Sequence, residues 1–383
     1  MNRMAANRWS RWAVAVLLVM GFPLRAPEAA SQQPARPEIA GRSGPVYLIP
    51  VTGVVEMGLA PFIERSLAEA AAAGASAAIL DIDTPGGRVD AAEQIVDAIG
   101  DSEVPVYAYV NRRALSAGAM IALATDRIYM RPGSTLGAAT PVTGDGATAS
   151  EKVVSAMRSA FRSLAEARDL DPRIAEAMVD ERIEVEGLVG AGELLTLSTE
   201  GAVAAGYADE VVDLDDLLAE LGLTGAEIVQ TRVNWAERVV RFLTHPLVSP
   251  FLLSLGFLGL LIEIKTPSFG LAGLAGLASL AAFFGSHFII GLAGWEVALL
   301  VGLGIILLLV EAIVLPGFGV AGILGSLAVL VGIFLSLVGR FPETGDILIA
   351  LWVLGFSTLL VGFVGWQLIR RLPADRRVKN LLH

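Results

Sequence analysis

The chain has 383 residues, 54% of them hydrophobic, a net charge of −11 and no cysteine. A mean hydropathy of +0.64 is too high for an ordinary soluble protein. The acidic balance argues against a nucleic-acid partner and against docking on anionic lipid by charge, and the missing cysteine rules out thiol catalysis, disulfides and cysteine-ligated metal.

The apolar excess lies at the extreme N-terminus and after His245, so the chain reads as a membrane protein carrying a soluble insert. Residues 1–30 read as a signal peptide or an N-terminal anchor. Arg3, Arg8 and Arg11 precede an apolar core from Trp12 to Phe22, and small residues follow at Ala26, Ala29 and Ala30. Residues 31–44 are a polar, Pro-rich linker.

The soluble domain is expected over 45–222. Val46–Val51 predicts a buried strand, Phe62–Ala73 a helix ended by Gly74, and Ala77–Ile82 a second strand. That strand runs into Asp83-Thr84-Pro85-Gly86-Gly87, with a helix following to about Ile99. Val104–Val110 predicts a third strand, then a turn at Ser116 and the apolar helical run Ala119–Ala124. Asp126–Met130 predicts a fourth strand, and Pro132-Gly133-Ser134 a loop. Alternation of strand and helix predicts a parallel sheet. Residues 142–149 read as a small-residue loop, Glu151–Arg168 as an amphipathic helix, Thr199–Gly206 as a short helix, Tyr207–Val212 as a return strand and Leu214–Leu221 as a helix. Residues 223–245 read as a connector.

Five apolar segments follow, about 247–264, 270–292, 296–315, 319–338 and 347–369, each near the ~20 residues that cross a bilayer. They form an all-α transmembrane bundle over 246–369, ahead of a basic tail at 370–383. The turn Pro267–Gly273 recurs as Pro316–Gly322, which predicts a duplicated hairpin. Glu263, Glu296 and Glu311 read as interfacial anchors. The basic N-terminus and the tail residues Arg370, Arg371, Arg376, Arg377 and Lys379 place both ends in the cytoplasm and the soluble domain outside it.

Chemistry is expected where two strands end. Gly86 and Gly87 open a helix and can turn their N–H groups toward an oxyanion. Ser116 sits at the mouth of a buried helix, where it is either a nucleophile or an ordinary N-cap. Both ends face one crevice if the strands are neighbours. The histidines, His245, His287 and His383, all lie in or beside the membrane part. The base in the soluble domain is therefore a carboxylate or Lys152, its one lysine. A lysine amine can take a serine proton once burial lowers its pKa from ~10.4. A cation in the first turn of a helix runs against the helix dipole, which hints at a purpose for Lys152. No metal or cofactor is expected.

The segments DTPGGRVDAAEQIVDAI, VPVYAYVNRRALSAGAMIALATDRIYMRPGSTLGAATPV and LSTEGAVAAGYADEVV, with the repeated Pro-x-Phe-Gly turns, resemble the NfeD family of membrane-bound serine proteases. The likeness is to its long form without the C-terminal OB-like domain. It implies an α/β ClpP/crotonase-like domain of repeated ββα/βα units, related to signal peptide peptidase A and followed by an all-α membrane bundle. It also implies a Ser–Lys dyad of Ser116 and Lys152. The oxyanion hole falls on the backbone of Gly86 and Gly87, with Ala117 as a further donor. Expected partners are a stomatin or SPFH-type membrane protein, the lipid bilayer and a second copy of the chain. A catalytically inactive scaffold that binds stomatin-like proteins is the alternative. An acyl-CoA enzyme on the same fold would need a catalytic carboxylate and a cytosolic cofactor, which an exported domain disfavours.

Overall fold

The computed structural model describes residues 44–143, 147–265, 270–313, 319–338 and 344–371. The expected signal or anchor, most of the linker, the loop tip 144–146, the Pro-x-Phe parts of both repeat turns and the tail beyond 371 lie outside the described residues.

The first part alternates strand and helix as the hydrophobic pattern requires. The order is β1 (Val46–Thr52), α1 (Leu59–Ala72), β2 (Ala77–Thr84), α2 (Val89–Gly100), β3 (Val106–Leu115), α3 (Ala117–Ala124), β4 (Arg127–Met130) and β5 (Thr135–Gly137). Then come α4 (Glu151–Glu166), α5 (Pro172–Ala177), β6 (Thr196–Ser198), α6 (Thr199–Ala204), β7 (Asp209–Glu210), α7 (Leu214–Glu220) and β8 (Ile228–Gln230). One sheet runs β6-β5-β3-β2-β1-β8, with β4 pairing β3 and β7. Every pair is parallel except β5–β6.

Central strands read as continuous apolar runs because both faces are covered. Ile79, Leu80 and Ile82 of β2 are buried, as are Ala108 and Val110 of β3. Residues 117–123 of α3 are buried throughout, as expected of so apolar a helix.

Two differences from the sequence pattern matter. The strand expected to end at Val110 continues through Asn111-Arg112-Arg113 to Leu115. Its first half pairs β4, and its second half pairs β5 in the register Arg113↔Thr135, Ala114↔Leu136, Leu115↔Gly137. The stretch expected to be only a connector contains β8, which joins the sheet edge beside β1. It also contains α8 (Trp235–Leu243), closed by a capping box between Asn234 and Glu237. The three residues of β8 are too few for a period to show, and their partner is remote in sequence, whereas α8 carried a local signal in Asn234 and Glu237 three residues on.

The second part holds α9 (Ser249–Lys265), α10 (Leu271–Ile289), α11 (Trp295–Ile313), α12 (Val320–Val338) and α13 (Thr344–Arg371). Among the described residues, Leu271–Ile289, Val320–Val338 and Gly345–Gln367 are long and apolar enough to cross a membrane. Glycines bring the helices of each hairpin together: a Cβ on Gly276 would lie 2.7 Å from the Gly256 carbonyl oxygen, and one on Gly325 2.8 Å from that of Gly304.

The same two hairpins revise the reading of their carboxylates. Glu263 accepts the N–H groups of Gly270 and Gly273 at 3.2 Å each. Glu311 accepts those of Gly319 at 2.5 Å and Gly322 at 2.9 Å. Each carboxylate caps the start of the next helix and satisfies donors that hydrocarbon would leave unpaired. Both are helix caps, and Glu311, being buried, is not a snorkelling anchor. Glu296 is exposed in the first turn of α11, as an anchor would be.

Candidate active site

β2 and β3 are parallel neighbours, and the pair Thr84↔Ala114 closes their common C-terminal end. The Pro85-Gly86-Gly87 turn and Ser116 therefore emerge side by side.

Ser116 stands between β3 and α3 with φ 54° and ψ −120°, a conformation that costs a non-glycine residue on the order of 1–3 kcal/mol. Its backbone is tightly held. The Ser116 N–H donates to the Gly137 carbonyl at 3.0 Å, and its own carbonyl accepts the N–H groups of Ala119 and Met120. Its hydroxyl makes no cap bond, and no other hydrogen bond joins it to a described residue. The side chain is half-buried. An ordinary N-cap turns its oxygen back onto the helix; this one leaves it free at the mouth.

Gly86 packs directly on the serine. Its φ of 101° is open to glycine, and a Cβ there would lie 2.5 Å from the Ser116 Cβ. The Gly86 N–H is already used, donating to Thr84 Oγ1 at 3.0 Å, while Thr84 Oγ1 donates to the Gly53 carbonyl at 2.6 Å. The Gly86 carbonyl accepts the Val55 N–H, and the Val55 carbonyl accepts the Arg88 N–H, both at 2.9 Å. That leaves the Gly87 N–H. Neither it nor the Ala117 N–H donates to an acceptor among the described residues. Of the three backbone positions expected to hold an oxyanion, Gly87 and Ala117 offer free donors, and Gly86 supplies the close approach.

The carboxylates at the end of β2 are turned away. Asp81 and Asp83 alternate with Ile82 and Thr84 and so project from the opposite face of the strand. Asp83 takes the Arg113 guanidinium at 3.1 Å. Burial raises the Asp81 carboxyl above its ordinary range, opposed by a hydrogen bond from Asn111.

Lys152 lies in the first turn of α4, exposed, with no hydrogen bond or ion pair to any described residue. It is not hydrogen-bonded to Ser116. Its backbone is anchored all the same. Val154, Met157, Phe161 and Ala165 of α4 are buried. Glu151 takes Arg182 through both oxygens at 2.9 Å, and Arg182 in turn holds the buried Asp180. Arg158, further along α4, also pairs with Asp180. Together these arginines hold the Asp180 carboxyl far below its usual range, with the Arg182 side chain the largest cause.

The structure thus brings Ser116, Gly86, Gly87 and Ala117 together, while Lys152 is exposed and not hydrogen-bonded to Ser116. Thr84 and Gly137 were missed from the sequence. Thr84 had a local signal, a hydroxyl two residues before a turning glycine; Gly137 had none, because it reaches Ser116 only through the β3–β5 pairing.

The description "NfeD1b, N-terminal domain" matches residues 45–231, and "NfeD integral membrane domain" matches 247–370. The membrane protein NfeD1b of Bacillus subtilis (strain 168) is 46% identical over 294 residues, covering 76% of this chain and 67% of that protein. The chain belongs to the NfeD family. Its architecture has the two parts the NfeD resemblance implied, an α/β domain followed by a helical membrane domain.

A more distant relative, the membrane-bound protease PH1510 of Pyrococcus horikoshii, is 28% identical over 247 residues, 58% of this chain and 53% of its own length. A solved mutant of the 1510-N membrane-bound stomatin-specific protease, in complex with a substrate peptide, is 25% identical. It covers 52% of this chain and 98% of that one at a TM-score of 0.46.

Proposed function

We propose that this NfeD protein is a membrane-bound serine endopeptidase with Ser116 as nucleophile and Lys152 as general base. The observation that carries the reading is the unpartnered Ser116 hydroxyl, on a strained backbone, beside the free N–H groups of Gly87 and Ala117. Strain of this kind presents a side chain at the sheet's edge instead of folding it onto its own helix.

In the proposed reaction Ser116 Oγ attacks the scissile carbonyl carbon as its proton passes to the Lys152 amine. The Gly87 and Ala117 N–H groups hold the oxyanion. The intermediate collapses, and the leaving amine departs with the proton from Lys152. Water then attacks the acyl-serine, its proton again taken by the amine and returned to Ser116. For this step the Lys152 amine has to come within hydrogen-bond reach of the hydroxyl. An extended substrate laid across the first turn of α4, or a second subunit of a dimer, would supply the cover a lysine base needs.

PH1510 is described as a stomatin-specific protease. By that relationship the substrate or partner here is a stomatin-type membrane protein, cut in an apolar stretch. The charge distribution supports a multi-pass placement in the cell membrane with the α/β domain on the extracytoplasmic side. The test is labelling of the purified full chain with a fluorophosphonate. Wild type should label and Ser116→Ala should not; labelling that survives the substitution overturns the assignment.

One observation favours a second reading. Lys152 is exposed and makes no hydrogen bond to Ser116, as in a scaffold that binds stomatin-like proteins without cutting them. That reading requires a wild-type chain inert to fluorophosphonate.

A further inference from the structure

The oxyanion loop is tied to the membrane side of the molecule at both ends of its supporting bridge. Val55 and Gly87 pair as an isolated parallel bridge. Next to Val55, Glu56 takes the Arg241 guanidinium of α8 at 2.6 Å and also accepts the Gly58 N–H at 2.7 Å. Next to Gly87, Arg88 forks two ways. Its Nε and Nη2 donate to Asp90 at 2.9 and 2.6 Å, and its Nη1 pairs with Asp346 in the first turn of α13. Asp346 is largely buried at this contact, at 13% side-chain exposure.

The helix that starts at the oxyanion loop meets the membrane part a second time. The turn after α10 packs on α2: Ile290 is buried in the core cluster of the α/β domain, and a Cβ on Gly291 would lie 3.3 Å from Gln94 Nε2.

Resting on the peptidase reading above, we propose that Arg88 is a positioning residue for the Gly87 N–H. Through Asp346 it makes the seating of α13 a condition of a competent oxyanion hole. The Gly87 donor has no hydrogen bond to a described residue, so its direction depends on its neighbours. The next residue is fixed by its N–H to Val55 and by a guanidinium fork that only arginine can spread over two carboxylates. Release of the Asp346 branch frees the loop to turn without unfolding the sheet beneath it. A partner that shifts α13 in the bilayer would act on the site through the same branch.

The test uses the full chain in lipid nanodiscs with Asp346→Asn, Asp346→Glu and Arg88→Lys. Hydrogen exchange of the peptides carrying the Val55 and Arg88 amides should quicken about ten-fold in Asp346→Asn, with the α3 amides unchanged. The maximal rate of fluorophosphonate labelling should fall about ten- to a hundred-fold while the probe's half-saturating concentration holds. Asp346→Glu should restore most of that rate, and Arg88→Lys should resemble Asp346→Asn. Wild-type exchange and wild-type labelling in Asp346→Asn would overturn the proposal. If the wild type takes no label at all, the peptidase reading fails, and the exchange data alone decide the tether.

Discussion

A Cβ placed on Gly86 would lie 2.5 Å from the Ser116 Cβ and 3.0 Å from its Oγ. No L side chain fits there without moving Ser116, and a φ of 101° adds strain of its own. Gly86→Ala should therefore cost about 2–4 kcal/mol and abolish labelling of Ser116. Thermal unfolding and fluorophosphonate labelling of the same preparation check both halves. An active Gly86→Ala would mean the serine need not hold the position seen here.

Lys152 contributes nothing visible to stability, since its amine is exposed and unpaired among the described residues. Lys152→Met should leave the free energy of unfolding within about 0.5 kcal/mol of wild type. The same change should slow peptide hydrolysis about a hundred- to ten-thousand-fold, the usual loss of a general base. Hydrolysis at the wild-type rate would assign the base to another group.

Asp180 should be the acid-sensitive point of the α4 anchorage. Arg182 and Arg158 depress its folded pKa below the unfolded value. Its contribution is then complete above the ordinary carboxylate range and is lost as pH falls through the depressed folded value. Asp180→Asn should lose about 2 kcal/mol at pH 7, a modest figure because Arg182 is 58% exposed. The gap between variant and wild type should narrow as the pH is taken below about 4. Unfolding curves across that range measure it; a gap that widens toward acid contradicts the sign.

Gly276 and Gly325 occupy matching places in the two membrane hairpins, each facing a carbonyl oxygen closer than 3 Å to where its Cβ would be. Gly276→Leu and Gly325→Leu should each lower stability in detergent by about 2 kcal/mol or more, by forcing paired helices apart. Gly285→Leu is the control, since no atom lies within 4 Å of a Cβ there. Equal effects at all three sites would show that close packing is not what these glycines provide.

Much of this was written in local chemistry. The buried strands β1, β2 and β4 and the helices α1, α2, α3, α4 and α7 follow from runs and periods that a few adjacent residues complete by themselves. So do the apolar helices α9 to α13, three of which are, among the described residues, long and apolar enough to cross a membrane. Pro85-Gly86-Gly87 and Ser116 could be placed at neighbouring strand ends on alternation alone, since parallel strands deliver their C-terminal turns to one edge.

Whatever depends on a remote partner was decided by the tertiary structure. β3 runs on to Leu115 because β5 is there to receive it, and the same pairing gives Ser116 its carbonyl partner in Gly137. Thr84 takes the Gly86 N–H and so leaves Gly87 and Ala117 as the donors. Glu263 and Glu311 became helix caps only when the following helix folded back onto them. Arg88 met Asp346 across 258 residues of chain. Period and propensity reach a few residues at most, whereas a free donor, a cap or an ion pair is settled by which groups three-dimensional packing brings within about 3 Å.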